Sequence, residues 1–146
     1  MNADAGLRAV ARVRGVRESD SRIGLTTALG EHRAAQARVD ELRHRLETAS
    51  TFVAGSAPEF LALRTSLAAL GDVLIAAESA RDGSRTVSDA ALARWQVDKS
   101  RLSAIEMLLE RRAADRRTDA ARREARELDD LAAQRWSRQR DGGVHR

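Results

Sequence analysis

The chain has 146 residues, enough for at most one ordinary domain, and is 33% charged, 42% hydrophobic and only 3% aromatic. Alanine, arginine, glutamate and leucine dominate, the profile of long helices rather than of a globular core. No cysteine is present and the net charge of +4 comes from 26 basic and 22 acidic residues that interleave, which excludes disulfides and thiolate metal centres and leaves no block of pure positive charge.

Asn2 to Asp4 can cap a helix that starts near Leu7. A seam of small and apolar residues follows at Leu25, Ala28, His32, Ala35, Val39, Leu42, Leu46, Ala49 and Val53, alternating steps of three and four. Upstream, Val13, Val16 and Ile23 sit one residue out of that phase, which predicts a local stutter. Gly15, Gly24 and Gly30 each weaken this helix by about 1 kcal/mol relative to alanine.

The one strong break is Gly55-Ser56-Ala57-Pro58-Glu59. Gly55 suits a helix C-cap, Ser56 with Glu59 makes a capping box, and Pro58 is tolerated in a first turn. A short break between two amphipathic helices implies that they fold back antiparallel. The second helix carries a seven-residue repeat in two rows. One is Phe60, Leu67, Leu74, Arg81, Ser88, Trp95, Leu102 and Leu109; the other is Leu63, Leu70, Ala77, Ser84, Ala91, Asp98 and Ile105. This is the pattern of a coiled-coil seam.

Residues 82–86, Asp-Gly-Ser-Arg-Thr, admit two readings. They can end a helix, with Thr86 or Ser88 capping a third one. The heptad phase before them continues unbroken after them, however, which favours one helix from about residue 59 to 138. In a hairpin turning at 55–58, Leu7 lies opposite Ile105 or Glu106, and the helix beyond has no partner. Some 30 residues would extend on the order of 45 Å. Along that stretch Ala121, Ala125, Leu128, Ala132 and Trp136 form a thin apolar stripe among arginines, Glu124, Glu127, Asp129 and Asp130. It reads either as a solvated, charge-paired helix or as a docking face for another protein. A disordered tail is expected at 141–146.

These elements predict an all-α fold: an antiparallel two-helix coiled-coil hairpin in one domain, 1–146. The first helix is placed at about 5–54, the turn at 55–58, and the long second helix at about 59–138 with a C-terminal overhang. Uninterrupted apolar runs fall far below the roughly 18 residues of a membrane span. The N-terminus lacks the apolar block of a signal peptide, so the reading is cytoplasmic.

Chemistry-bearing motifs are absent from the pattern: there is no phosphate-binding glycine loop, metal-spaced cluster or Ser/His/Asp constellation. No catalytic, metal or cofactor-binding residue is therefore assigned, and enzymatic activity is not expected. His32 reads as a tolerated polar seam residue, His44 and His145 have nothing convergent near them, and Asp98 reads as a register-setting residue able to pair with an arginine across the hairpin. Arg111, Arg112, Arg116, Arg117, Arg122, Arg123 and Arg126 invite a nucleic-acid reading. Asp115, Asp119, Glu124 and Glu127 stand among them and would repel the same backbone, so none is assigned. Lys99 is the sole lysine, which reads as compositional bias towards arginine.

Three segments carry a family resemblance: Leu7-Arg8-Ala9-Val10-Ala11-Arg12-Val13-Arg14; Phe60-Leu61-Ala62-Leu63-Arg64-Thr65-Ser66-Leu67; and Leu102 to Arg112 followed by Arg126-Glu127-Leu128-Asp129-Asp130-Leu131-Ala132. Together they resemble FliJ, the small coiled-coil component of the bacterial flagellar type III export apparatus, over nearly the whole chain. The resemblance implies a non-enzymatic export factor, cytoplasmic and peripheral at the inner face of the cell membrane. Its implied partners are the flagellar export ATPase ring, the export gate protein and export chaperones, with membrane association only through them.

It implies a stalk-like role in assembling the ring, with Arg112, Arg116, Arg123, Arg126, Leu128, Ala132 and Trp136 as candidate ring contacts. The family's gate-contact face matches Leu70, Val73 and Ala77. Ser66 stands where the family usually carries an aromatic, which bears on gate contact rather than on the fold. The competing class is a structural coiled-coil scaffold or dimerisation protein unrelated to export.

Overall fold

Two helices account for the regular structure of the computed structural model, which describes residues 4–49, 51 and 54–141. They are α1, Ala5–Ala49, and α2, Ala57–Asp141. The expectations for Asn2, Val53 and the tail beyond Asp141 lie outside the described residues, and Asp141 is itself the last residue of α2. The described residues group into two compact units. One is Val13–Leu102; the other joins the chain up to Arg12 with the chain from Ser103.

Within Val13–Leu102 the two helices pack antiparallel. The α2 residues withdrawn from solvent include Leu63, Leu67, Leu70, Leu74, Ala77, Arg81, Ser84, Ser88, Ala91, Trp95, Asp98 and Leu102. These are the two heptad rows read from the sequence, apart from Phe60 at the head of one row, which is 44% exposed. On α1, Leu25, Ala28, Val39 and Leu42 form the buried apolar core. Val39 and Leu42 are fully buried, and each such side chain contributes on the order of 1.5–3 kcal/mol.

The stutter expected in α1 is absent. The withdrawn positions run Asp4, Leu7, Ala11, Arg14, Glu18, Ser21, Leu25 and Ala28, alternating three and four throughout. Val13, Val16 and Ile23 are 55%, 62% and 62% exposed. The seam keeps its phase by accepting polar residues, of which Ser21, Ser88 and Glu18 find partners. The Ser21 hydroxyl donates to the Glu18 carbonyl, and Ser88 to that of Arg85. The Trp95 indole N–H donates to the Glu18 carboxylate. Hydroxyls bonded to their own helix are cheap to bury, so the seven-residue register outweighs local valine content. Nor does α1 break at Gly15, Gly24 or Gly30.

Residues 82–86 lie inside α2, so the second helix is continuous there. The Thr86 and Ser88 hydroxyls bond carbonyls of the preceding turn rather than capping a new helix. The turn region differs from expectation at one end. α1 stops at Ala49 instead of 54, so Gly55 is not its cap, and no glycine among the described residues has a positive φ. At the other end the Glu59 half of the capping box forms. The Ser56 N–H donates to Glu59 Oε2 at 2.6 Å, and α2 starts at Ala57.

Cross-seam register follows from His32 Nδ1, 3.1 Å from Ser84 Oγ. The Ser84 hydroxyl already donates to the Arg81 carbonyl, so the imidazole N–H donates and the hydroxyl oxygen accepts. That pairing sets the end of α1 level with about the third turn of α2. The first turns of α2 run past it, with Leu61 64% exposed.

One sequence expectation about membranes is also corrected. α2 contains an 18-residue window of mean hydropathy 1.6, long and apolar enough by length and composition to cross a membrane. The stretch 60–77 supplies it despite Arg64 and Asp72, which interrupt every apolar run. Here the leucines of that stretch, Leu63, Leu67, Leu70 and Leu74, are half-buried on the seam.

Candidate partner-binding surfaces

The unit formed by the chain's two ends contains an ionic clamp. Asp4 is 3% exposed, and its carboxylate lies 3.5 Å from Arg112 Nη1 and 2.5 Å from Arg116 Nη1. The side chain expected to cap α1 instead binds α2, while its carbonyl accepts the Arg8 N–H at 2.9 Å. Stepping back by sevens from Leu25 through Glu18 and Ala11 reaches Asp4. The signal was in the sequence, masked by the apparent stutter.

From residue 114 to 140 every residue of α2 is exposed, a stretch on the order of 40 Å. Pairing extends to half-buried Ala113, somewhat beyond the expected limit near residue 106. Leu128, Leu131 and Trp136 are 62%, 51% and 61% exposed. Leu131 broadens the stripe of Ala121, Ala125, Leu128, Ala132 and Trp136, and was not singled out from the sequence. The Arg140 guanidinium sits 4.9 Å from the Trp136 ring centroid, one turn away.

The dense charge pairing expected here is sparse. Among the described residues, Asp119–Arg122 at 4.0 Å is the ion pair formed between two residues of this stretch, Arg116 pairing instead with Asp4. The candidate ring contacts therefore divide. Arg112 and Arg116 are engaged by Asp4, whereas Arg123, Arg126, Leu128, Ala132 and Trp136 face solvent. Helical spacing puts the arginine row and the apolar stripe on different faces of α2.

Leu70, Val73 and Ala77 belong to the other unit. Leu70 and Ala77 are half-buried on the seam and Val73 is 46% exposed, so this trio presents one exposed side chain and the edges of two. Asp98 is 9% exposed and, among the described residues, forms no ion pair within 4.0 Å. The arginine partner expected for it is not there. His32 is the seam residue anticipated, and no group of acids and histidines among the described residues is arranged to hold a metal.

A helical hairpin with a polar-tolerant heptad seam, followed by an exposed helix rich in alanine and arginine, is a low-complexity pattern whose family is decided by comparison along the chain. The family model for the flagellar FliJ protein matches residues 4–141. The chain belongs to the FliJ family. Among curated proteins and among solved structures, none is significantly similar.

Membership covers both helices, the clamp and the exposed stretch of α2, and makes this a flagellar export-related protein. In this FliJ-family chain the surfaces free to meet other molecules are the 114–140 helix, the exposed first turns of α2, and the flanks of the hairpin.

Proposed function

We propose that this FliJ-family protein is a non-enzymatic assembly factor of the flagellar export machinery. The exposed part of α2 docks on the export ATPase ring, the 70–77 region meets the export gate through Val73 and its neighbours, and export chaperones are further partners. The observation that carries this reading is that 114–140 is helical yet exposed throughout, with Leu128, Leu131 and Trp136 uncovered. An apolar stripe of that kind on a preformed helix is suited to insertion into a groove of a partner. On this reading the protein works in the cytoplasm and reaches the membrane only through its partners.

The test is the hydrolysis rate of the same organism's export ATPase with and without the full chain, compared with Leu128→Glu/Trp136→Glu. Both positions are exposed, so the double variant keeps the fold. Stimulation by the native chain that the variant loses supports ring docking. An active ATPase that ignores the native chain removes it.

A further inference from the structure

The flank of the hairpin between residues 17–28 and 87–101 carries a groove that neither the family reading nor the candidate contacts use. Its wider section, of about 630 Å³, is lined by Arg17, Asp20, Arg94, Val97, Asp98 and Arg101, among others. It runs into a narrower section of about 380 Å³ that shares Asp20 and Arg94 and is floored by Gly24, Ala28, Ala90 and Ala91. The two sections lie along matching edges of the helices. Arg17 and Gly24 are seven residues apart on α1, and Val87, Arg94 and Arg101 repeat by sevens on α2, so each set forms one row.

Three features show that the groove is not consumed by the fold. Among the described residues Arg17, Arg94 and Arg101 have no ion pair within 4.0 Å. Val87 and Val97 stay 57% and 48% exposed at its walls. A side chain added at Gly24 would meet nothing within 4 Å, so the hairpin's own packing does not require that glycine, which in a helix interior is unfavourable. Small residues along a groove let another backbone approach closely, and exposed valines beside them offer it apolar contact.

We infer that this groove receives an amphipathic helix from an acidic protein partner, completing a local three-helix bundle. Alanine or leucine side chains of the guest lie over Gly24, Ala28, Ala90 and Ala91. Its carboxylates reach Arg94 and Arg101 on one side and Arg17 on the other. Three arginines against Asp20 and the largely buried Asp98 leave the rim positive, which selects acidic guests and repels basic ones. The arginine heads can fork onto carboxylates. This surface is separate from the exposed end of α2 and from Leu70, Val73 and Ala77, so it stands or falls independently of the ring and gate reading.

The experiment uses the full chain, isotopically labelled for amide NMR. The probe is a synthetic helical peptide of about 20 residues, some 30 Å long, whose alanine–leucine face is flanked by glutamates. A twin carries lysine in place of each glutamate. The expected result is saturable shifts centred on residues 17–28 and 87–101 with the acidic peptide, weakening with salt, and none with the lysine twin. Gly24→Leu should weaken binding by about tenfold or more while melting no lower than the native chain, and Arg94→Glu/Arg101→Glu should abolish it.

Four outcomes overturn the proposal: equal binding of both peptides, shifts confined to other regions, undiminished binding by Gly24→Leu, or no binding at all. Inorganic phosphate reproducing the shifts with Gly24→Leu unaffected would reduce the groove to a simple anion site. The same shifts arising from self-association of the chain alone would give the groove to a second copy.

Discussion

The indole N–H of Trp95 donates to a carboxylate oxygen of Glu18 at 2.9 Å, joining residues 77 positions apart in sequence. It is a charge-assisted bond inside a seam built largely of leucine, alanine and serine. Glu18→Ala leaves the indole without its acceptor and is expected to destabilise the hairpin by about 1–2 kcal/mol. Urea unfolding followed by Trp95 emission, in a Trp136→Phe background, measures it. An unchanged midpoint would mean that water replaces the carboxylate at no cost.

Arg14 occupies the same seam one turn earlier, and its Nη1 is buried without a hydrogen-bond partner. A guanidinium nitrogen left buried without a partner costs more than apolar atoms in its place. Arg14→Leu should therefore raise stability by about 1–2 kcal/mol, read as a higher melting midpoint by circular dichroism. A fall in the midpoint would show that the guanidinium is better satisfied in solution than its geometry indicates.

Much of this architecture was legible in the sequence, because a repeat of seven is carried by many residues at once. The α2 rows from Leu63 to Ile105 and the α1 row from Leu25 to Leu46 stand where the spacing placed them. What failed were inferences resting on single residue types. Val13, Val16 and Ile23 look like core and are exposed; Arg14, Glu18 and Ser21 look like surface and are withdrawn from solvent. At Gly83, where the residue type alone suggested a break, the unbroken heptad phase favoured continuity, and the helix is continuous. The exposed stripe of α2 was visible from its spacing, apart from Leu131. The seam position of Asp4 was legible by sevens from Leu25, but its arginine partners and the arginine groove were not, since each depends on which residues of two distant segments come level.

Gly83 offers a direct check of helix continuity. A Cβ there meets nothing within 4 Å, and the position is helical. Gly83→Ala should then stabilise by about 0.5–1 kcal/mol, measured by chemical denaturation. A break at 82–86 would give no gain.

The cap of α2 sets a dependence on acid. Hydrogen bonds from the Ser56 backbone N–H, and secondarily from its hydroxyl, hold the Glu59 carboxyl below the usual glutamate range. A group whose pKa is depressed on folding contributes stability that is complete above its unfolded pKa and is lost as pH falls through the folded value. The start of α2 should thus fray on acidification below about 4.5. Glu59→Gln should lower protection of the Phe60 amide at neutral pH and flatten that dependence. Amide exchange across the acid range tests both.

Asp4 ties the start of α1 to Arg112 and Arg116, although those arginines are themselves 45% and 55% exposed. Partial solvation limits the worth of such pairs, and Asp4→Ala should cost about 1 kcal/mol. The loss should be local, seen as faster amide exchange at Arg8 and its neighbours while the Leu25–Leu42 core is unchanged. Faster exchange throughout α1 would make the clamp a determinant of the whole helix.

The chain's single lysine has a consequence for anyone attaching a probe. Lys99 Nζ lies 4.8 Å from the centroid of the Trp95 ring, so the one side-chain amine of the molecule is stacked on the aromatic that bridges the two helices. Amine-directed dyes or cross-linkers will report on this point of the seam and disturb it as they do so. For labelling elsewhere, a cysteine placed on an exposed face starts from a background of no native thiols.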